Sequence, residues 1–194
     1  LEENPLDLDL YYASGKNTDE LLTIAKECED IALSLDKRIV NSDGAGVNSH
    51  TSLQVYGNSN GFLESYGSSR NSLSCVLIAQ ENDEMQRDYS YTSARDMKEL
   101  LSPQWVAEQA VKRTVERLGA RKITTQESPV LFSPEMASGL FGHLVSAISG
   151  ASLYKKSSFL LDSIDTQIFP DWMSISEDPH IIKGFASSPF DNEG

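Results

Sequence analysis

The regular pattern of the chain begins with a helical repeat of apolar positions. From Leu21 to Leu35 apolar side chains recur every three or four residues, the spacing that places them on one face of an α-helix. Asn17 precedes this stripe and Glu20 follows three residues later, as in a capping box. We therefore predict a helix that begins after Asn17 and carries Cys28 on its buried face, as a core thiol rather than a reactive one.

Beyond Lys37 the pattern changes to an alternation of apolar and polar side chains, which is the period of a half-buried β-strand. Four such runs follow one another: Val47–Tyr56, Phe62–Tyr66, Ser72–Gln80 and Met85–Thr92. Turn-forming residues cluster at four places: Asp43-Gly44, Asn58–Gly61, Gly67–Ser69 and Glu81–Asp83. Short turns between alternating runs predict an antiparallel meander of three to five strands, with the first helix covering its buried face.

Two further helices are predicted after the meander. Ser102-Pro103 has the form of a helix start, and Gly119 has the form of a stop. Val130–Phe132 is then expected to form a short buried strand, and Ser133-Pro134 to begin a helix that runs to about Ile148. The fold class is therefore α+β: an antiparallel meander covered by helices, followed by a helical and irregular segment.

The polar, unpatterned stretch 119–128 is the expected domain boundary. We predict a central α+β domain over residues 1–122 and the start of a second, C-terminal domain over residues 123–194. The sequence opens at Leu1 without methionine and closes inside a polar run, which indicates a piece of a longer protein.

Charge narrows the range of partners. The 194 residues contain 16 Lys and Arg against 29 Asp and Glu, a formal net charge of −13. An excess of acids disfavours direct contact with nucleic acid or with an anionic membrane surface. No apolar run approaches the roughly 18 to 20 residues that span a bilayer. The two cysteines and the lack of a visible signal peptide predict a cytoplasmic protein.

Short catalytic motifs carry little weight in this chain. Gly57–Gly61 matches GxSxG, but alternating runs flank it and predict a hairpin turn rather than a nucleophile elbow. Ser152–Lys155 matches SxxK without the companion motifs of that enzyme class. The three histidines, His50, His143 and His180, are too far apart for a helical zinc motif. We assign no catalytic and no metal-binding residue.

The third helix is the most unusual segment, because small residues recur along it every four positions. These are Ser138, Gly142, Ser146 and Gly150. Glycine inside a helix costs about 1 kcal/mol relative to alanine, so a close approach of another backbone is expected to offset that cost. Two interpretations remain open: tight packing within the chain, or a helix that lines a groove or a subunit interface.

Five stretches resemble the PmbA (TldE) branch of the TldD/PmbA family. They are Lys37–His50, Gly139–Leu144, Phe159–Ser163, Pro170–Trp172 and Lys183–Asp191. The resemblance covers essentially the whole chain and implies the central domain plus the start of the C-terminal domain. It implies a bacterial and archaeal peptidase system that acts on peptides and unfolded chains, also named a modulator of DNA gyrase.

In the TldD partner of that family, an HExxxH helix supplies two zinc ligands and the general base. One alignment of that motif with this chain places its three functional positions on Phe141, Gly142 and Ser146. If His143 is taken as the first histidine instead, Leu144 replaces the glutamate. The resemblance therefore implies that zinc resides in the partner subunit and that this chain needs no cofactor of its own.

The leading hypothesis is a non-catalytic subunit that docks a TldD-like subunit and helps to form the chamber for a peptide or unfolded-chain substrate. One alternative is a metallopeptidase in its own right that uses residues outside this segment, or an atypical site around His143 and His180. Another is a stand-alone module that binds extended peptides at an exposed strand edge. The sequence also leaves open a homo-oligomer.

Overall fold

The first helix forms as its pattern predicts. The structure is a computed structural model that describes residues 5–191. Helix α1 spans Thr18–Leu35. The Asn17 side chain accepts a hydrogen bond from Glu20 N at 3.0 Å, and Asn17 N donates to the Glu20 carboxylate at 2.9 Å. The predicted capping box is thus confirmed, and Cys28 is fully buried on the inner face of the helix.

A three-stranded antiparallel sheet follows, which confirms the α+β class and the meander. Its strands are β1 (Ile39–Gly57), β2 (Leu63–Glu81) and β3 (Glu84–Ala94), in the order β1-β2-β3. The first two strands are 19 residues long, and β3 has 11. The β1–β2 hairpin therefore extends well beyond the part of β2 that pairs with β3, which begins at Asn71.

Two of the predicted turn clusters are wrong. Asp43-Gly44 lies inside β1, where the register shifts between Ser42 and Gly44 and Gly44 adopts a φ of +117°. Such a bulge uses glycine as a turn does but lets the strand continue. Gly67–Ser69 lies inside β2, where Ser69 is buried and its N–H donates to the carbonyl of Leu10 at 3.0 Å. The N-terminal segment reaches the sheet at this place.

Two helices cover one face of the sheet. A 3₁₀ turn at Met97–Glu99 leads to α2 (Pro103–Glu116), which Ser102 caps by accepting from Trp105 N at 3.2 Å. Gly119 has a φ of +76°, in keeping with its predicted role as a stop. The core joins both helices to the sheet and consists of Cys28, Ala32, Ile39, Leu73, Cys75, Leu77, Ala79, Val106, Ala107, Ala110 and Val111.

The chain forms two compact units. One extends to Arg121 and includes the returning segment from Asp178 onward, and the other is Lys122–Glu177. The second unit contains α3 (Pro134–Ile148), α4 (Gly150–Tyr154) and a series of turns. The predicted strand at Val130–Phe132 is wrong: these residues are exposed, and Leu131 keeps 98% of its surface accessible. Their apolar character suggested burial, but within residues 5–191 no strand pairs with them.

Candidate functional site

Helix α3 begins at a Ser-Pro start and contains three of the four small residues singled out by the sequence. Ser133 is the N-cap residue, and Pro134 occupies the first turn. Two serines of the stripe donate to carbonyls of their own helix: Ser138 Oγ to Glu135 O at 2.6 Å, and Ser146 Oγ to Gly142 O at 2.9 Å. Both hydroxyl groups therefore have their hydrogen-bond acceptor within the helix and need no partner outside it.

The glycines of the stripe face open space. A Cβ atom built on Gly142 or on Gly150 would meet no other atom within 4 Å among the residues described. Gly142 and Gly150 therefore have no close neighbour in the unit that contains them, and both interpretations of the stripe, tight packing within the chain and a groove or subunit interface, stay predictions. The cost of glycine in the helix interior is therefore not offset within this part of the chain.

The apolar side of α3 is also largely uncovered. Met136, Leu140, Val145 and Ile148 each keep half or more of their surface accessible, and Ala147 is the buried residue of the helix. Patches of this kind mark interaction surfaces when they are contiguous. Gly150 itself begins α4, after Ser149 has ended α3.

The GxSxG match lies in a hairpin turn, and the three histidines lie at exposed positions. Gly57–Gly61 forms the predicted hairpin turn between β1 and β2, in which Asn58 N donates to Phe62 O at 2.9 Å. His50, His143 and His180 are each exposed, and they lie on β1, on α3 and in the returning segment. Within residues 5–191 no group of three or more His, Cys, Asp or Glu side chains could hold a metal ion.

The two cysteines are fully buried and lie in the same core cluster between α1 and β2. Contact with the Cys75 thiol and burial raise the pKa of the Cys28 thiol well above its ordinary value. A thiol in this setting stays protonated, so the predicted structural role of Cys28 agrees with its environment.

The sequence did not reveal how the returning segment attaches to the rest of the first unit. Lys183 donates to Glu99 at 2.5 Å, lies 3.9 Å from Asp9 and sits over the ring of Tyr12. The Glu99 carboxylate is the main reason that the pKa of Lys183 is raised, and the Asp9 carboxylate raises the pKa of Tyr12. Four residues from three segments that are distant in sequence thereby make contact within the first unit, a relation that no local pattern signals.

A groove in the first unit was also missed. It lies between the N-terminal segment and residues 64–67 of β2, and has a volume of about 450 Å³. Three carboxylates line it, from Asp7, Asp9 and Glu64. The sequence marked Gly67 as part of a turn, which concealed the open strand edge at this place.

Comparison with known proteins defines the class to which this architecture belongs. Residues 11–118 match the family model described as the PmbA/TldA metallopeptidase central domain, and residues 125–194 match that of the PmbA/TldA metallopeptidase C-terminal domain. The fold is shared with a crystal structure from Bacteroides thetaiotaomicron named as a modulator of DNA gyrase. That structure has a TM-score of 0.92 and 28% identity, and the match covers 100% of this chain and 45% of the other.

A crystal structure of TldE from Thermococcus kodakarensis has the same fold over 79% of this chain and 36% of its own, with a TM-score of 0.63 and 21% identity. The Metalloprotease PmbA of Escherichia coli O157:H7 is 51% identical over 188 residues, which is 97% of this chain and 42% of that protein. The chain belongs to the PmbA/TldD metallopeptidase family. It spans less than half the length of the relatives that it matches.

No helix within the described residues is both long enough and apolar enough to cross a membrane.

Proposed function

We propose that this chain is part of a non-catalytic, PmbA-type subunit that docks a zinc-bearing TldD-like subunit and helps to enclose a peptide or unfolded-chain substrate. The observation that supports docking most directly is the open stripe of α3. Gly142 has no neighbour within 4 Å of the position that a Cβ would occupy, so a second backbone can approach there closely. We place the central domain at residues 1–122 and the C-terminal domain from residue 123 onward.

The donor set supports the non-catalytic part of the proposal. In one alignment with the zinc motif the three functional positions fall on Phe141, Gly142 and Ser146; in the other, His143 is the first position and Leu144 replaces the glutamate. Phenyl and glycine side chains offer no metal ligand, and zinc is bound in proteins by Cys, His and carboxylate groups. In either alignment the general base is missing and at most one zinc ligand remains, so we assign the metal that the family uses to the partner subunit.

The exposed apolar residues of α3 provide a source of binding energy for docking. Leu140 and Val145 are 50% and 62% exposed. Burying such side chains contributes about 25 cal/mol per Å² of apolar surface removed from water. An interface that combines small residues for close approach with flanking aliphatic residues resembles the interior of a helix pair.

The test uses the full-length protein, purified alone and then mixed with a TldD-like subunit. We expect no bound zinc and no peptidase activity from the protein alone, and activity in the mixture. Zinc bound stoichiometrically by this protein, together with hydrolysis in the absence of the partner, would overturn the non-catalytic assignment.

Gly142→Leu tests the docking helix. Leucine raises helix propensity by about 1 kcal/mol over glycine, so the helix itself should tolerate the change. We expect Gly142→Leu to abolish the complex in size-exclusion chromatography. Gly46→Leu is the matched control, because a Cβ on Gly46 of β1 also meets no atom within 4 Å. Equal association of both variants with the partner would refute docking through α3.

A further inference from the structure

The edge of β2 that faces away from β1 is paired over only part of its length. From Asn71 onward this edge pairs with β3, and at Ser69 it is taken by the N-terminal segment through the bond from Ser69 N to Leu10 O. Toward the hairpin tip, from Gly67 to Leu63, β2 pairs with β1 on its other side alone. The structure therefore contains a short stretch of open strand edge.

The direction of the backbone groups on that stretch follows from the register. Because Ser69 N donates away from β1, the N–H and C=O groups of Gly67 and Ser65 point the same way, as alternate residues of a strand do. The register between β1 and β2 is unbroken from Val47 opposite Leu73 to Gly57 opposite Leu63, so this alternation holds. Within residues 5–191 no hydrogen bond joins these outward groups of Ser65 and Gly67 to another backbone.

The groove of about 450 Å³ lies against this edge. Its volume falls within the range of about 300 to 1,000 Å³ that is typical of ligand sites. Asp7, Asp9 and Glu64 line it, and none of its lining residues in the described part of the chain is Lys or Arg. The Asp9 carboxylate already lies 3.9 Å from Lys183, so Asp7 and Glu64 supply most of the negative charge that a ligand would meet. A ligand that fits must therefore offer main-chain donors and acceptors to the strand and positive charge to the walls.

We propose that this groove binds an extended peptide with basic side chains, which adds to the sheet as a strand and hydrogen-bonds to the backbone of Ser65 and Gly67. Strand addition takes affinity from main-chain bonds and selectivity from alternate side chains. The N-terminal segment already uses this mode at Ser69, through Leu10. The inference deepens the proposed function, because it gives a place and a charge preference for a peptide ligand.

Charge complementarity favours this occupant over another acidic segment. The chain carries a net charge of −13, so a second copy or an acidic stretch would meet repulsion at the groove. An extended basic peptide gains attraction from the same carboxylates. Its affinity is expected to fall with added salt, because exposed charges are screened over about 10 Å at 0.1 M ionic strength.

The test measures binding by the full-length protein without any partner subunit, so failure of subunit docking does not affect it. The probe is a fluorescein-labelled peptide of seven residues that alternates Lys and Thr, followed by fluorescence anisotropy. Two N-methylated versions are compared, one methylated at the odd and one at the even positions. Only one set of N–H groups faces β2, so we expect one version to lose at least tenfold in affinity and the other to bind as the parent does.

Variants of the protein provide a second readout. Ser65→Pro removes the groove-facing N–H and leaves the β1 ladder bonds in place, whereas Ser65→Ala retains that N–H. We expect Ser65→Pro to weaken binding at least tenfold and Ser65→Ala to leave it unchanged. Glu64→Gln should weaken binding severalfold at low salt, and Glu81→Gln, an exposed change at the far end of the same strand, should not.

Three results would overturn the proposal. The first is no binding of the parent peptide, and the second is an equal effect of both methylation patterns. The third is a concentration-dependent dimer, seen by sedimentation, that excludes the peptide, because a second copy would then be the occupant. If the protein binds the peptide but forms no complex with a TldD-like subunit, the peptide-binding proposal is supported and the docking proposal is refuted.

Discussion

Arg95 Nη2 donates a hydrogen bond to the carbonyl oxygen of Gly184 at 2.7 Å, which ties the returning segment to the end of β3. The same guanidinium donates from Nη1 to Ser69 O at 3.0 Å, and its Cζ lies 5.4 Å from the centre of the Phe185 ring. Arg95 is only 7% exposed, and burial lowers its pKa from the ordinary arginine value. Backbone carbonyls and an aromatic face thus hold a buried cation.

Arg95→Met should destabilise the protein, because it keeps most of the volume but removes both donors. We expect a loss of about 1.5–3 kcal/mol in the free energy of unfolding, the range for hydrogen bonds made by a charged group. Urea unfolding followed by circular dichroism measures it. Arg87→Met serves as the control, since its ion pair with Asp43 is exposed and such pairs contribute under about 1 kcal/mol. Equal losses in the two variants would contradict this role of Arg95.

Leu77→Ala should be among the more damaging single changes in the sheet. Leu77 is fully buried in the core between the helices and β2. Truncation leaves a cavity, and a loss of about 2–5 kcal/mol in unfolding free energy is expected. Leu53→Ala is the matched control on β1, because Leu53 is 70% exposed and its truncation should cost little. A loss at Leu77 as small as that at Leu53 would show that the core is arranged differently.

Stability should depend on pH through Asp36. Hydrogen bonds from the Arg38 side chain, at 2.6 and 3.0 Å, and from its backbone hold the pKa of Asp36 at about 2. Because this folded pKa lies below the unfolded value of about 4, the pair stabilises the fold above pH 4 and loses its effect as the pH falls toward 2. The difference in unfolding free energy between the parent protein and Asp36→Asn should therefore shrink over that window. A difference that stays constant from pH 6 to pH 2 would exclude this linkage.

The two thiols should resist alkylation in the native protein. Cys28 and Cys75 are inaccessible, and the pKa of Cys28 is raised by its neighbour and by burial. We expect iodoacetamide, with mass spectrometry as the readout, to label neither residue until denaturant is added. Rapid labelling of Cys28 under native conditions would refute its assignment to the core.

Much of the first unit could be predicted from sequence because its signals are local. The Asn17–Glu20 capping box and the Ser102-Pro103 helix start each depend on residues within four positions of one another. Gly44 and Gly67 misled the prediction for a physical reason: glycine serves a bulge or a close approach as well as a turn. At Gly67 a Cβ would lie 3.3 Å from the ring of Tyr11, which is a contact that only the folded chain reveals.

Of the two candidate sites, the sequence showed the small-residue stripe but not the groove beside β2. The stripe on α3 was visible because four residues repeat at a helical spacing, but its exposure was not, since exposure depends on what the rest of the chain covers. The groove beside β2 was invisible. It arises where β3 is shorter than β2 and where Leu10 pairs with Ser69, and both are relations between segments that are distant in sequence.

The first compact unit is discontinuous in the chain, because Asp178 and the residues after it return to it once Lys122–Glu177 has been made. During synthesis the sheet and its two helices leave the ribosome before Asp178 and the residues after it, so the bonds from Arg95 to Gly184 and from Lys183 to Glu99 form only later. Until then the Arg95 side chain, which is buried in the folded protein, stays hydrated and lacks its hydrogen bond to the carbonyl of Gly184. The returning segment therefore completes the first unit late, and translation that ends before it would leave Arg95 and Glu99 without these partners.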